Sequence, residues 1–228
     1  MFTRRMATGW LIAYLAVSAV DVLGVLIDSA ALHYASKPLL MPLLLAYFVA
    51  SLDGLKHRLV SLVKAALVCA WVGDILLMLD GEAFFALGLL SFLAAQVCYI
   101  VGFRPYAGLG PLRTRPWLVL PYAAYGLALY LVLLPGLGVL AAPVALYTAA
   151  LVTMAVLATG IAPRTAVGAI LFVLSDSLIA LTELTDVLPA AAGMLIMPTY
   201  IAGQLLIVLG VLQNLGRGAG VRDLSATH

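Results

Sequence analysis

Continuous apolar runs dominate the chain, and polar side chains fall almost entirely in the short gaps between them. A bilayer crossing takes about 20 apolar residues as a helix. Read on that scale, the sequence predicts eight spans: Trp10 to Ile27, Pro38 to Leu52, Leu59 to Leu79, Ala83 to Phe103, Trp117 to Leu134, Val139 to Ala158, Ala166 to Leu181, and Ala190 to Leu212. The second run is the shortest and carries Pro42, which predicts a tilted, kinked or partly re-entrant segment. The expected fold is all-α, a single eight-span transmembrane domain over residues 1–228 with short tails at about 1–8 and 214–228.

Composition sharpens this picture. Of 228 residues 65% are hydrophobic and only 10% charged, with a mean hydropathy of +1.16, far from the balance of a water-soluble domain. Eight spans would use about 160 positions, so only short loops remain. A net charge of +2 from 12 Lys and Arg spread along the chain does not make a nucleic-acid surface, which needs basic residues on one face.

Charge also orients the spans, because Lys and Arg beside spans stay on the cytoplasmic side. Alternation collects Arg4, Arg5, Lys56, Arg58, Lys64, Arg104, Arg113, Arg115, Arg164, Arg217 and Arg222 on one side and Lys37 alone on the other. Both termini are thus expected in the cytoplasm, with Asp80, Glu82, Glu183 and Asp186 outside. Arg4 and Arg5 ahead of the first run would suit a cleaved signal peptide, but Asp21 interrupts the apolar core such a peptide needs. Cys69 and Cys98 fall in different spans and read as small apolar packers rather than a disulfide framework.

An internal 4+4 parallel repeat is also suggested. Val72-Gly73-Asp74-Ile75-Leu76 on the third span resembles Leu174-Ser175-Asp176-Ser177-Leu178 on the seventh, and the spans that follow carry Gln96 with Tyr99 and Tyr200 with Gln204. An even four-span unit keeps its orientation when repeated.

The candidate chemistry lies in the ionisable residues within spans, which are costly there unless paired or hydrated. Asp21, Asp74 and Asp176 each stand five to seven residues before an expected outer span end, or about 7 to 11 Å at helical rise. Two carboxyls sharing a dry pocket can divide the roles of acid and base. Asp74, beside Gly73 and matched by Asp176, is read as functional, and Asp21 as a helix-to-helix hydrogen-bonding residue. Gly88, Phe92, Gln96 and Tyr99 share one helical face, as do Tyr200 and Gln204; their amides and phenols could orient a polar ligand or hold the carboxyls. Lys37 precedes Pro38 at the expected start of the second span, where helix-terminal amides would add positive character for a lipid phosphate. His33 and His57 flank spans and His228 ends the chain, so no metal site is expected; nor does a P-loop, a Gly-x-Ser-x-Gly elbow or a His-Glu-x-x-His helix occur.

The landmarks Ser36-Lys37-Pro38-Leu39, Val72-Gly73-Asp74, Gly88 to Phe103, Gly168-Ala169 through Phe172 with Ser175-Asp176, and Tyr200-Ile-Ala-Gly-Gln204 resemble, in that order, the YhhN-like membrane proteins of the lysoplasmalogenase family. The resemblance covers about residues 36–212. It implies a hydrolase of a bacterial plasma membrane that needs no cofactor and takes a membrane lipid as its partner. Such an enzyme cleaves the vinyl ether bond of a lysoplasmalogen into a fatty aldehyde and glycerophospho-ethanolamine or glycerophosphocholine. By the same resemblance Asp74 and Asp176 match the family's intramembrane aspartates and would be catalytic. Lys37, Gln96, Tyr99, Tyr200 and Gln204 would bind substrate. Gln96 stands where the family often has His; Gln donates and accepts hydrogen bonds but does not shuttle a proton. Two other readings compete. A small lipid or solute transporter would use the aspartates as proton or cation sites. An intramembrane aspartyl protease would need Tyr-Asp, Gly-x-Gly-Asp and Pro-Ala-Leu elements, whereas Trp71 precedes Val72-Gly73-Asp74 and Leu188-Pro189-Ala190 is not the motif.

Overall fold

The computed structural model describes residues 2–225; Arg4, Arg222 and His228, which entered the sequence reading, lie outside the residues whose side chains it describes. Among the described residues the regular elements are helical throughout: α1 (Phe2–Leu26), α2 (Ala30–Ser51), α3 (Arg58–Leu76), α4 (Glu82–Phe103), α5 (Val119–Leu137), α6 (Ala141–Ala158), α7 (Pro163–Leu184) and α8 (Ile196–Ser225), with short 3-10 turns between some of them. The tails expected at about 1–8 and 214–228 are thus helical from Phe2 and as far as Ser225.

Seven segments of the described residues, not eight, are long and apolar enough to cross a membrane. The runs expected at Trp117–Leu134 and Val139–Ala158 belong to one helical stretch, Pro116–Ala158, of 43 residues. Straight, such a stretch would reach about 65 Å, twice a hydrocarbon core. It bends instead at Gly138, whose φ of +48° suits a residue without a Cβ. Gly126 on α5 then lies against Val152 and Thr148 on α6, so the two halves pack on each other.

Helix α2 also departs from expectation. It runs unbroken from Ala30 to Ser51 with both Pro38 and Pro42 inside it, so the short or re-entrant second span is replaced by a longer helix. A proline inside a helix leaves the carbonyl four residues earlier without its donor. Pro42 thereby frees the carbonyl of Pro38, and the indole Nε1 of Trp71 on α3 donates to that oxygen at 2.8 Å.

Consecutive helices pack as pairs, α1 with α2, α3 with α4, and α7 with α8. The last pair crosses at two glycines: a Cβ on Gly168 would lie 2.6 Å from the Gly203 carbonyl oxygen, and one on Gly203 would lie 2.9 Å from the Gly168 oxygen. Small residues at facing positions let membrane helices approach to backbone contact. The core draws Tyr14, Leu44, Phe48, Leu67, Phe103, Phe172 and Val211 from most of the helices, while Leu133 and Leu137 of α5 belong to a smaller separate cluster. Facing outward, Ile12, Leu23, Leu90, Leu120, Leu127, Leu146 and Ile170 are between 47% and 67% exposed. A surface this apolar matches lipid rather than water, and the chain is a multi-pass membrane protein.

Candidate functional site

Asp74 sits in the last turn of α3 and Asp176 well inside α7. Both are withdrawn from the surface, at 2% and 7% exposure, so their oxygens depend on donors supplied by the protein. For Asp74 the donor comes from α8: the Tyr200 hydroxyl reaches Oδ2 at 2.8 Å. For Asp176 it comes from α4: Gln96 Nε2 donates to Oδ2 at 3.2 Å. The Tyr147 hydroxyl of α6 donates to that same oxygen at 2.5 Å. Helices α4 and α8 are themselves joined, because Tyr99 donates to Gln204 Oε1 at 2.7 Å.

These bonds are reciprocal between the two halves of the chain. The aspartate of α3 is held from α8, and the aspartate of α7 from α4. Distance to a helix end is not what aligns the carboxyls, since α3 stops at Leu76 while α7 continues to Leu184. Tyr200, which holds Asp74, brings its ring to 5.9 Å from that of Phe172, one helical turn before Asp176 on α7. Three aromatic rings fill the space beside them. Phe92 meets Phe172 at 6.4 Å and Tyr200 at 6.0 Å between centroids, and Phe172 meets Tyr200 at 5.9 Å. Phe92 occupies the notch at Gly73, where a Cβ would stand 2.8 Å from its ring. Two buried atoms of the network remain without a protein partner, the acceptor Gln96 Oε1 and the donor Gln204 Nε2.

Asp21 belongs to a different group. Its Oδ1 accepts from Ser36 Oγ at 2.8 Å and lies 3.1 Å from His33 Nδ1, both on α2. Lys37 requires a correction. Helix α2 begins at Ala30, so Lys37 is inside the helix rather than at its start, and helix-terminal amides add nothing there. The residue is half-buried there.

Sequence reasoning missed Tyr147 and the pairing of His33 with Asp21. A lone phenol in an otherwise apolar run needs a partner for its hydroxyl, and that was the available signal for Tyr147. Among the described residues, no three His, Cys, Asp or Glu side chains gather to hold a metal ion. Two open cavities, of about 660 and 400 Å³, lie at the opposite end of α3 from Asp74, around Tyr47, Ser51 and Asp53.

Residues 32–211 match the model of the YhhN family. No curated protein and no solved structure matches the chain.

Proposed function

The chain belongs to the YhhN family, and on that premise we propose that it is a lysoplasmalogenase-like hydrolase. It would cut the vinyl ether bond of a lysoplasmalogen into a fatty aldehyde and glycerophospho-ethanolamine or glycerophosphocholine. The observation that carries this reading is the reciprocal support of Asp74 and Asp176, two buried carboxyls on separate helices, each held by the partner half of the chain. Vinyl ether hydrolysis starts with a proton placed on the alkene carbon distal to the ether oxygen, which makes an oxocarbenium ion. Water adds to the cationic carbon and gives up a proton. The resulting hemiacetal breaks its bond to the glycerol oxygen, which takes a proton and leaves, and the aldehyde remains. One carboxylic acid and one carboxylate cover these transfers.

In this reading Asp74 and Asp176 are the pair. Gln96, Tyr99, Tyr200 and Gln204 orient water and the glycerol oxygens, with Gln96 Oε1 and Gln204 Nε2 the two groups not committed to protein partners. Lys37 takes the lipid phosphate. Tyr147 and Gln96 hold Asp176 through one oxygen, leaving the other for chemistry. In this reading the bend at Gly138 would let α5 and α6 cross separately, and the positive residues would keep both termini cytoplasmic in a bacterial plasma membrane. The exchange of donors between α3 with α8 and α7 with α4 is the pattern that a repeated four-helix unit would make.

The test is incubation of the purified protein in detergent or nanodiscs with a lysoplasmalogen, reading fatty aldehyde release. Release above the level given by an Asp74→Asn, Asp176→Asn double variant is expected. A folded wild-type sample that releases none would overturn the proposal for that substrate.

A further inference from the structure

The end of the bundle away from the carboxyls holds charged groups that the hydrolase reading leaves unused. Between α2 and α3 the chain makes a tight turn, in which Leu55 N donates to Leu52 O at 2.9 Å. The two residues inside it, Asp53 and Gly54, have φ of +47° and +80°, a conformation that suits glycine and that aspartate tolerates. Asp53 and the following Lys56 both line the cavity of about 660 Å³, yet no ion pair joins them. Among the described residues the side chains of Tyr47, Asp53 and Lys56 have no hydrogen-bond or ion-pair partner. His57, beside them, is already committed, because its Nδ1 accepts from Leu59 N at 3.1 Å. Opposite charges that line one space without meeting are free to receive a ligand that carries both signs.

The remaining walls of that space are apolar. Leu52 belongs to the core, Leu212 and Leu215 of α8 pack against it, and all three line the cavity with Leu55. The smaller cavity, of about 400 Å³, shares Tyr47, Ser51 and Asp53 with the larger and continues between α1 and α2 past Ala7, Leu11 and Ala50. Hundreds of cubic ångströms lined by apolar side chains and a few polar groups are the dimensions of a small-molecule site. The larger cavity also lies where three candidate spans end, at Ser51, Arg58 and Arg217, the level at which a bilayer's headgroups meet its chains.

We propose that this pair of cavities binds a phospholipid with a zwitterionic headgroup, of the phosphoethanolamine or phosphocholine class. Lys56 receives the phosphate, Asp53 the ammonium, and the Tyr47 hydroxyl a phosphate or glycerol oxygen. The leucine walls and the space beside Ala7 and Leu11 take the glycerol and the chain. A headgroup with negative charge alone would set that charge against Asp53. A free glycerophospho-ester would leave the leucines facing water, so the lipid is the better occupant. Neither Asp74 nor Asp176 lines these cavities, and the inference stands apart from the hydrolase reading.

The test is made on the whole protein in detergent. It is offered equal amounts of phosphatidylethanolamine and phosphatidylglycerol with identical chains, and bound lipid is counted by native mass spectrometry. Preferential retention of phosphatidylethanolamine is expected. Asp53→Asn, which keeps the tolerance for positive φ, and Lys56→Gln should each weaken that retention about tenfold, the worth of one hydrogen bond to a charged group. Both residues are exposed, so neither substitution touches the core. The two variants also separate the roles: Asp53→Asn should shift the preference towards phosphatidylglycerol, whereas Lys56→Gln should lower retention of both lipids. Excess free glycerophospho-ethanolamine should leave the lipid bound. A wild-type preference for phosphatidylglycerol, which a basic surface would give by charge alone, overturns the proposal. So does equal retention of the two lipids, retention of neither, retention that neither substitution weakens, or displacement by the free headgroup.

Discussion

Asp176 accepts two donors on one oxygen, Tyr147 at 2.5 Å and Gln96 at 3.2 Å, and Asp74 accepts one, Tyr200 at 2.8 Å. Removing the Tyr147 hydroxyl as Tyr147→Phe keeps the ring and deletes one bond to a carboxyl, a change of about 1.5–3 kcal/mol when the acceptor is charged. If that bond supports the transition state, kcat falls by about 10- to 100-fold with little change in KM, measured as aldehyde release. Asp74→Asn and Asp176→Asn keep an oxygen for their donors but lose the acid or base. Each should abolish release while thermal unfolding in detergent stays near wild type. Full activity in either variant would show the paired-carboxylate mechanism to be wrong. At this scale Asp74 and Asp176 were legible because charge inside an apolar run is conspicuous. Tyr147 was not, since aromatic residues are ordinary in such runs and its hydroxyl acquires meaning only when α6 meets α7. Lys37 was misplaced for a related reason: Pro38 looked like a helix start, whereas the helix extends back to Ala30.

Among the elements, the α7 and α8 crossing carries the tightest demand on side-chain size that also bears on the site. Asp176 and Gln204 lie on the two helices joined at Gly168 and Gly203, so their spacing follows from backbone contact. Gly168→Ala would force a methyl to within 2.6 Å of the Gly203 oxygen, and overpacking of this kind costs about 1–3 kcal/mol. A lower melting temperature and reduced turnover are expected together, while Gly9→Ala, with nothing within 4 Å of its added Cβ, should leave both unchanged. Equal melting temperatures for the two variants would mean that the crossing tolerates a methyl. The apolar runs foretold most of these helices because lipid exposure demands length and apolarity at once. Where one run ended and the next began was harder to see. Between Leu134 and Val139 no charged residue marks the bend; Pro135, Gly136 and Gly138 set the two runs apart there, and the chain turns at Gly138.

Across the whole molecule, the carboxyls and the open cavities occupy opposite ends of α3. Neither cavity is lined by Asp74 or Asp176. Orientation is open to direct measurement. In a background lacking Cys69 and Cys98, a cysteine at Glu183 should react with an impermeant thiol reagent added outside intact cells. One at Lys56 should react only after permeabilisation. Labelling of both from the same side would contradict the arrangement that the positive residues imply. Helix α2 spans this geography, with His33 and Lys37 towards one end and Tyr47 and Ser51 towards the other. Between them, the Pro38 carbonyl is bridged to α3 by the Trp71 indole. That bridge gives the protein an intrinsic optical gauge: with Trp10 and Trp117 changed to Phe, the emission of Trp71 would follow whether α2 stays docked on α3 as lipid arrives.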